Sequence, residues 1–268
     1  MQRSPLFAAF LLGLALAWAP RAMAATPAPE DLAATAITLE GEVSYEDGGN
    51  WEPVALGQLL GAGDQVRTGE SSSLHLVLAD GSSLVLGPNT EATLKDLGPG
   101  GPGSSTVITL LKGLLNAMVE KLGPDASFEV QTGNAVAAVK GTDFEVSTAS
   151  DDTAVTVAEG TVQLGDAGRR RFEPVHPNER RRFALNRMLA AETLSKRDLG
   201  EFRGRWERAH SFHQQRHELL KNLRAQNAKE RRRFIRALKQ RREARAARRE
   251  NWKDKHANKA KKRRHRPD

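Results

Sequence analysis

Residues 63–90 read GDQVRTGESSSLHLVLADGSSLVLGPNT and predict two short β-strands joined by a tight turn. In residues 74–78 and 84–86, Leu occupies every second position, which is the period of a half-buried strand. The polar residues that fall on the opposite face are His75 and Ser83. The pair Asp80-Gly81 separates the two segments, and Gly tolerates the positive φ that such a turn needs. We therefore expect a hairpin with one face in the core and the other in water.

The same pattern continues over much of the chain. Between residues 37 and 164, short apolar segments alternate with clusters of Gly, Asp, Asn, Ser and Pro. Many short strands at regular spacing are typical of a β-sandwich or a β-solenoid, not of alternating strands and helices. A Gly followed by a short apolar strand recurs loosely, which favours a stacked solenoid. We predict one mainly β domain over residues 37–168.

The net charge divides the chain into two parts. Residues 1–168 hold 7 Lys and Arg against 21 Asp and Glu, whereas residues 169–268 hold 34 against 12. Such an asymmetry indicates two physically different parts, one of which attracts anions. We take residues 169–197 as a connecting segment between them, with an edge strand near residues 180–185.

A helical period begins near residue 198. Apolar side chains recur at spacings of three, four or seven and trace one stripe of a helix. The stripe comprises Leu199, Phe202, Trp206, Ala209, His213, Leu220 and Leu223. Asp198 with Glu201 three residues later fits a capping box. Gly200 and Gly204 weaken the first turns, so the helix could start nearer Arg205.

The basic C-terminal part indicates an anionic partner. Residues 216–268 hold 22 Lys and Arg against 6 Asp and Glu. We predict a basic amphipathic helix or helical hairpin over residues 198–255, which could pair two copies of the chain as a coiled coil. A disordered basic tail over residues 256–268 would follow. The candidates for anion or partner binding are Arg231, Arg232, Arg233, Arg241 and Arg242.

The first residues have the parts of an export signal. Arg3 supplies a positive charge, residues 6–18 an apolar stretch and residues 22–24 the small side chains of a cleavage site. We predict a signal peptide over residues 1–24 and a linker rich in Pro and Ala over residues 25–36, with an uncleaved anchor as the alternative. A periplasmic chain would meet anionic lipids, cell-wall polymers and acidic proteins, so a nucleic-acid partner is disfavoured.

The chain contains no cysteine and no enzyme signature. The lack of cysteine excludes disulfides, thiolate metal sites and a cysteine nucleophile. Residues 98–103, GPGGPG, have the spacing of a dinucleotide-binding loop, but prolines interrupt it and a strand follows where a helix is needed. The sequence also lacks a serine-hydrolase elbow, a zinc-protease HExxH motif and a P-loop. We predict a protein without catalytic activity and without cofactors.

Three histidines on the predicted helix are candidate metal ligands. Spacings of three and four place His210, His213 and His217 on one face, as ligation of zinc, copper or nickel requires. Arg208 and Arg216 lie close by in sequence and would repel a cation. Histidines at the polar edge of an amphipathic helix are commoner than metal sites. We therefore expect no metal, and periplasmic metal sensing is a third hypothesis.

Four blocks in order along the chain resemble the FecR domain family. They are residues 41–69, the hairpin DGSSLVLGPNT at 80–90, AAVKGTDFEVST at 137–148 and VTVAEGTVQL at 155–164. Residues that carry the resemblance include Trp51, Gly63, Asp64, Asp80, Gly81, Gly141, Phe144 and Gly160. We expect structural roles for them. Trp51 would fill the core, the two Asp residues would bond the backbone of their own turns, and Gly141 would let the chain bend before Phe144 packs inward.

The resemblance implies a β-solenoid or a twisted two-sheet domain in an exported, non-enzymatic sensing and interaction module. The best-understood family members span the inner membrane and relay the state of an outer-membrane iron–siderophore transporter to a sigma factor. This chain shows neither their anti-sigma segment nor an internal transmembrane helix, which argues against direct regulation of a sigma factor. Two functions are open: a module that engages an envelope protein, and a structural protein held to anionic membrane or cell-wall polymer by its basic helix.

Overall fold

The structure of the chain is a computed structural model that describes residues 33–226, except residues 48, 100, 101 and 170, together with Arg236 and Gln240. Several sequence predictions lie outside the described residues. These are the signal peptide at 1–24, most of the linker at 25–36, the tail at 256–268, and Arg231, Arg232, Arg233, Arg241 and Arg242.

Eighteen strands precede one helix in the described part of the chain. The strands are β1 (Ala33–Glu40), β2 (Val43–Asp47), β3 (Asn50–Pro53), β4 (Leu59–Gly61), β5 (Gln65–Thr68), β6 (Ser73–Val77), β7 (Ser83–Leu86), β8 (Glu91–Asp96), β9 (Ser105–Met118), β10 (Ser127–Gln131), β11 (Ala135–Val139), β12 (Asp143–Ala149), β13 (Asp152–Glu159), β14 (Val162–Asp166), β15 (Phe172–Val175), β16 (Glu179–Ala184), β17 (Arg187–Met188) and β18 (Glu192–Thr193). The helix is α1 (Lys196–Gln226). The predicted mainly β fold with a C-terminal helix is confirmed.

The strands form two sheets that share β9. Sheet A runs β4–β1–β6–β7–β9–β12–β13–β16, and both β17 and β18 pair with β16. Sheet B runs β3–β2–β5–β8–β9–β10–β11–β14–β15. Among these ladders only β9 with β10 is parallel.

Strand β9 passes from one sheet to the other at Gly113. Up to Lys112 it pairs with β8 and β10 in sheet B, and from Gly113 onward it pairs with β7 and β12 in sheet A. Gly113 has a φ of 96°, and a Cβ there would lie 2.5 Å from the Cα of Thr90. The Thr90 hydroxyl accepts a hydrogen bond from the Leu114 amide at 2.9 Å. Glycine is needed because both the left-handed backbone and the close approach exclude a side chain.

One apolar core takes side chains from both sheets. The predicted hairpin forms from β6 and β7, with the buried leucines Leu76 and Leu84 opposite each other. Phe128 of β10 and Phe144 of β12 are among the largest fully buried side chains. The alternation of apolar residues along each strand therefore defines the inner faces of both sheets.

The aspartates singled out from the sequence bond their own turns, as predicted. Oδ2 of Asp64 accepts a hydrogen bond from the Gly61 amide at 2.7 Å, and Oδ1 of Asp80 accepts one from the Ser82 amide at 2.9 Å. Burial raises the pKa of Asp80, although the bonds from Ser82 partly oppose this shift. The motif glycines that adopt positive φ are Gly63, Gly81, Gly141 and Gly160.

Trp51 lies outside the core, so the prediction that it fills the core is wrong. It belongs to β3, the edge strand of sheet B, and its side chain is partly exposed. An edge strand has a neighbour on one side only, so its side chains are less enclosed than those of central strands. The guanidinium of Arg67 lies over the indole, 4.0 Å from the ring centroid. A cation–π contact at the sheet edge replaces the expected core packing.

Helix α1 begins earlier than the sequence pattern predicted. The hydroxyl of Ser195 accepts a hydrogen bond from the Asp198 amide at 3.2 Å, so Ser195 is the N-cap and the assignment of Asp198 as the cap is wrong. The helix then passes through Gly200 and Gly204 without interruption. Packing on sheet A outweighs the low helix propensity of glycine. No helix in the described part of the chain is both long enough and apolar enough to cross a membrane.

Candidate functional site at the helix–sheet interface

Helix α1 lies across the outer face of sheet A, which is turned away from the core. Strand register aligns one row of outward side chains across β6, β7, β9, β12 and β13, namely His75, Val85, Asn116, Glu145 and Thr156. His75 is 2% exposed, Glu145 is 4% exposed, and Ser83 in the adjacent row is fully buried. The prediction that the polar face of the hairpin meets water is therefore wrong, because α1 covers it.

The apolar contact between α1 and sheet A is narrow. From the predicted stripe, Phe202 and Ala209 are fully buried, at 1% and 2% exposure. The ring of Phe212 meets the ring of His75 edge-on, with 5.3 Å between their centroids. Most of the other close contacts involve charged or polar side chains, so electrostatic pairing has a large part in positioning the helix.

The first polar contact is a bidentate ion pair between Arg205 and Glu145. Nε of Arg205 donates to Oε2 at 2.7 Å, and its terminal nitrogen donates to Oε1 at 2.9 Å. The side chain of Glu145 is 5% exposed and that of Arg205 is 31% exposed. The hydrogen bonds that Arg205 donates to Glu145 raise the pKa of Arg205. Such a pair fixes both the position and the rotation of the helix.

Removal of one partner should detach the helix locally. We expect Arg205→Met to lower the free energy of unfolding by roughly 2 kcal/mol, because it leaves the Glu145 carboxylate buried without a counter-charge while partial exposure of the site reduces the loss. A double-mutant cycle with Glu145→Gln, measured by urea unfolding, isolates the pair. The control is Arg197→Met, which removes an exposed pair with Glu201 and should cost less than about 0.5 kcal/mol. A coupling energy near zero for Arg205 and Glu145 would contradict the assignment.

The second polar contact is made by Asp143, two residues before Glu145 on the same face of β12. Nε1 of Trp206 donates to Oδ2 of Asp143 at 3.4 Å, and Nδ1 of His210 lies 3.6 Å from the same oxygen. The rings of Trp206 and His210 stack with 4.7 Å between their centroids. Burial raises the pKa of Asp143, and the contacts with Trp206 and His210 oppose this shift.

The third polar contact joins the C-terminal half of α1 to Glu120, which follows β9. Arg216 pairs with Oε1 of Glu120 and donates to the backbone carbonyl of His213 at 2.6 Å. Nδ1 of His213 shares a hydrogen bond of 2.5 Å with the Ser83 hydroxyl, and its Nε2 lies 3.5 Å from Glu120. The helix is therefore anchored near both ends of its contact with sheet A.

Two histidines of this interface, the buried His75 and the partly buried His213, predict a loss of stability in acid. Burial, with His213 nearby, lowers the pKa of His75 to about 3, and burial together with Arg216 lowers that of His213 to about 4. In the unfolded chain both return to roughly 6.5. Between pH 6.5 and about 4 the unfolded state therefore binds more protons, so the free energy of unfolding falls as the pH falls.

We expect a slope of up to roughly 1.4 kcal/mol per pH unit for each histidine, measured by urea unfolding between pH 7 and pH 5. Above pH 7 both histidines are neutral in either state, and the slope from this source should vanish. His75→Leu should remove about half of the acid-dependent slope. The same stability at pH 7 and pH 5 would be inconsistent with the burial of these rings.

The three candidate metal ligands take separate contacts. His213 binds the Ser83 hydroxyl, His210 lies against Trp206, and His217 is exposed. The ring centroids of His210 and His213 are 6.3 Å apart. Within the described residues, no group of three or more His, Cys, Asp or Glu side chains is placed to hold a metal ion.

Two cavities flank the pair of Arg205 and Glu145. One, of about 630 Å³, is lined in part by Glu145, Ser147, Asp152, Arg180, Arg182 and Arg205. The other, of about 430 Å³, is lined in part by Val85, Leu114, Asn116, Arg208, Ala209 and Phe212. Helix α1 therefore leaves parts of the outer face of sheet A unfilled.

Comparison with known proteins gives a family for the sheets that carry this interface. Residues 64–163 match the sequence model of the FecR protein family. The chain therefore contains a FecR domain. No curated protein matches the chain in sequence.

The chain is similar to two crystal structures of a candidate anti-sigma factor from Parabacteroides distasonis ATCC 8503, at 2.50 and 1.65 Å resolution. Each is 17% identical to the chain and superposes with a TM-score of 0.43. The similarity covers 51% and 52% of this chain and 62% and 63% of those chains, so less than two thirds of their length is matched.

The FecR domain supplies one side of the interface and α1 supplies the other. Glu120, Asp143 and Glu145 lie within the matched residues, whereas Arg205 and Arg216 lie beyond them. None of these five residues was selected from the sequence as a site residue. The alternation along β12 places Asp143 and Glu145 on one face of the strand. An acidic face is also common on a strand that faces solvent, so the pattern did not identify these residues as a site.

Proposed function

We propose that the chain is a non-enzymatic binding and regulatory module of the FecR type, which engages a protein partner in the periplasm. The observation that carries this proposal is the FecR domain over residues 64–163. Export is supported by the charge, the apolar stretch and the small residues at the N-terminus of the sequence. The acids of the helix–sheet interface are engaged by Arg205, Trp206 and Arg216, an arrangement suited to holding two elements together.

The outer face of sheet B is the partner surface that we favour. Helix α1 covers much of the equivalent face of sheet A, and no helix covers sheet B in the described part of the chain. Register places a polar row along sheet B, comprising Gln65, Thr93, Thr109 and Gln131. Two large apolar side chains on strands of this sheet, Leu111 and Phe172, are 47% and 38% exposed. A largely polar surface with a few exposed apolar side chains is compatible with a weak, reversible protein interface.

Photo-crosslinking in the native host tests this proposal. A photoreactive amino acid at Leu111 of the full-length chain should give a discrete crosslinked protein in the periplasmic fraction. The control places the same amino acid at Gln215, an exposed position of α1, and should not give that product. Recovery of the chain only in the cytoplasm would overturn the location. Equal crosslinking from both positions, or none from Leu111, would overturn the partner surface.

The alternative function is an electrostatic tether to anionic membrane or cell-wall polymer. The charge of residues 216–268 favours it, with 22 Lys and Arg against 6 Asp and Glu. Screening lengths fall from about 10 Å at 0.1 M salt to about 3 Å at 1 M, so a tether of this kind should release at high salt. Sedimentation with envelopes, or with vesicles that contain anionic lipid, measures this. Association that persists in 1 M salt would contradict the tether.

A further inference from the structure

Helix α1 is held on sheet A by an imperfect interface. Five buried side-chain nitrogens within the described residues lack a hydrogen-bond partner, and four of them lie here. They are Nδ1 and Nε2 of His75, Nδ1 of His210 and Nε of Arg216. A buried polar atom without a partner destabilises the contact that encloses it. The packing of α1 on sheet A is therefore less favourable in free energy than the packing of the core between the sheets, where apolar side chains meet.

The packing of α1 also indicates a weak contact with sheet A. Among the described side chains of α1, those buried to 2% exposure or less are Phe202 and Ala209. Cavities of about 630 and 430 Å³ lie beside Arg205, where the helix does not fill the outer face of sheet A. Elements with little apolar burial open at lower free energy than the core, without unfolding the whole domain. Helix α1 is such an element.

The face under α1 is itself suited to a cationic helix. Its three acids, Glu120, Asp143 and Glu145, are partly or fully buried by α1, and each is met by a nitrogen donor or a cation of the helix. If the helix left, these carboxylates would become an exposed acidic surface on a rigid sheet. Charge complementarity then selects a helix that presents Arg and His on one face, which is the chemistry of α1.

We propose that the outer face of sheet A is a binding surface for a cationic α-helix, and that α1 is its exchangeable intramolecular occupant. A partner would present cations at the spacing of Arg205 and Arg216. This inference goes beyond the partner-binding function above, which concerns sheet B, and either proposal can fail without the other.

The lack of cysteine in the chain allows a direct test of opening. Ser83 and Ala117 are both buried, at 0% and 1% exposure, but Ser83 faces α1 whereas Ala117 faces the core. Full-length Ser83→Cys and Ala117→Cys proteins are labelled with a maleimide under native conditions. The cysteine at position 83 should react at least tenfold faster, because α1 opens while the sheets stay folded. Equal rates would mean that only global unfolding exposes position 83, and would overturn the proposal.

A second substitution tests the cause of the opening. His75→Leu removes two unpartnered buried nitrogens and keeps an apolar contact with Phe212. In the Ser83→Cys protein it should slow labelling at position 83 several-fold, because it stabilises the closed interface. Faster labelling at position 83 would show that His75 holds α1 closed, contrary to the proposal.

A synthetic peptide tests whether a separate helix can bind the outer face of sheet A. The probe is a fluorescein-labelled synthetic peptide with the sequence of residues 196–226, and the receptor is the full-length chain with Arg205→Glu and Arg216→Glu, whose own helix is weakened. Fluorescence anisotropy should show at least tenfold tighter binding to this receptor than to one that also carries Glu145→Ala. Equal affinities would overturn the proposal. Circular dichroism of both receptors confirms that the sheets are folded.

Discussion

Replacement of Phe144 by Ala is expected to lower the free energy of unfolding by about 3–5 kcal/mol. Phe144 is 2% exposed, lies opposite Ala117 of β9 and Val157 of β13, and belongs to the core that both sheets share. Loss of the ring removes apolar contact area and leaves a cavity that short, mutually paired strands cannot collapse to fill. Urea unfolding followed by far-ultraviolet circular dichroism measures the change.

The matched control for this prediction is Phe172→Ala. Phe172 is the same residue type in a strand, but it is 38% exposed. Its removal should cost less than about 1.5 kcal/mol, because water already reaches much of the ring. A similar cost at both positions would mean that Phe144 does not act through core packing.

Gly113→Ala should destabilise the domain by roughly 3–5 kcal/mol, the second large effect. Gly113 has a φ of 96°, which an L-residue rarely adopts, and the new Cβ would lie 2.5 Å from the backbone Cα of Thr90. Backbone cannot rotate away as a side chain can, so β9 would have to shift at the point where it leaves sheet B for sheet A. We expect a lower urea midpoint and faster amide exchange in β7 and β8, which flank the bend.

Gly103→Ala separates the two causes. Gly103 also has a positive φ, of 71°, but a Cβ there would meet no atom within 4 Å. This substitution should cost roughly 1–2 kcal/mol, the strain of the left-handed conformation alone. If Gly113→Ala costs no more than Gly103→Ala, the close approach to Thr90 has no energetic role.

Local patterns predicted well those features that depend on neighbouring residues. The period of two in residues 74–86 placed Leu76 and Leu84 on the inner face, and the Asp80-Gly81 pair placed the turn. Both follow from backbone geometry within a few residues, where a strand alternates its faces and an aspartate bonds the next amides. The FecR motif residues other than Trp51 likewise lie in turns or point into the core.

Patterns failed where a distant element decides the environment. Trp51 has the size of a core residue, but its position on an edge strand depends on how nine strands of sheet B are ordered. Asp198 with Glu201 has the spacing of a capping box, but the chain turns into the helix three residues earlier, at Ser195. In each case the residue type was compatible with two positions, and the tertiary structure selected one of them.

The mainly β fold, the hairpin, its Asp-Gly turn and the FecR blocks could be predicted from the amino-acid pattern alone, because each depends on the spacing of nearby residues. The burial of the polar face of that hairpin depends instead on an element that is distant in sequence. His75 and Ser83 have the pattern of a solvent-facing side, yet α1 reaches them from more than a hundred residues away in sequence, through Phe212 and His213. The alternation of residues along a strand shows that its two faces differ in polarity. It does not show whether the polar face contacts water or a cationic helix.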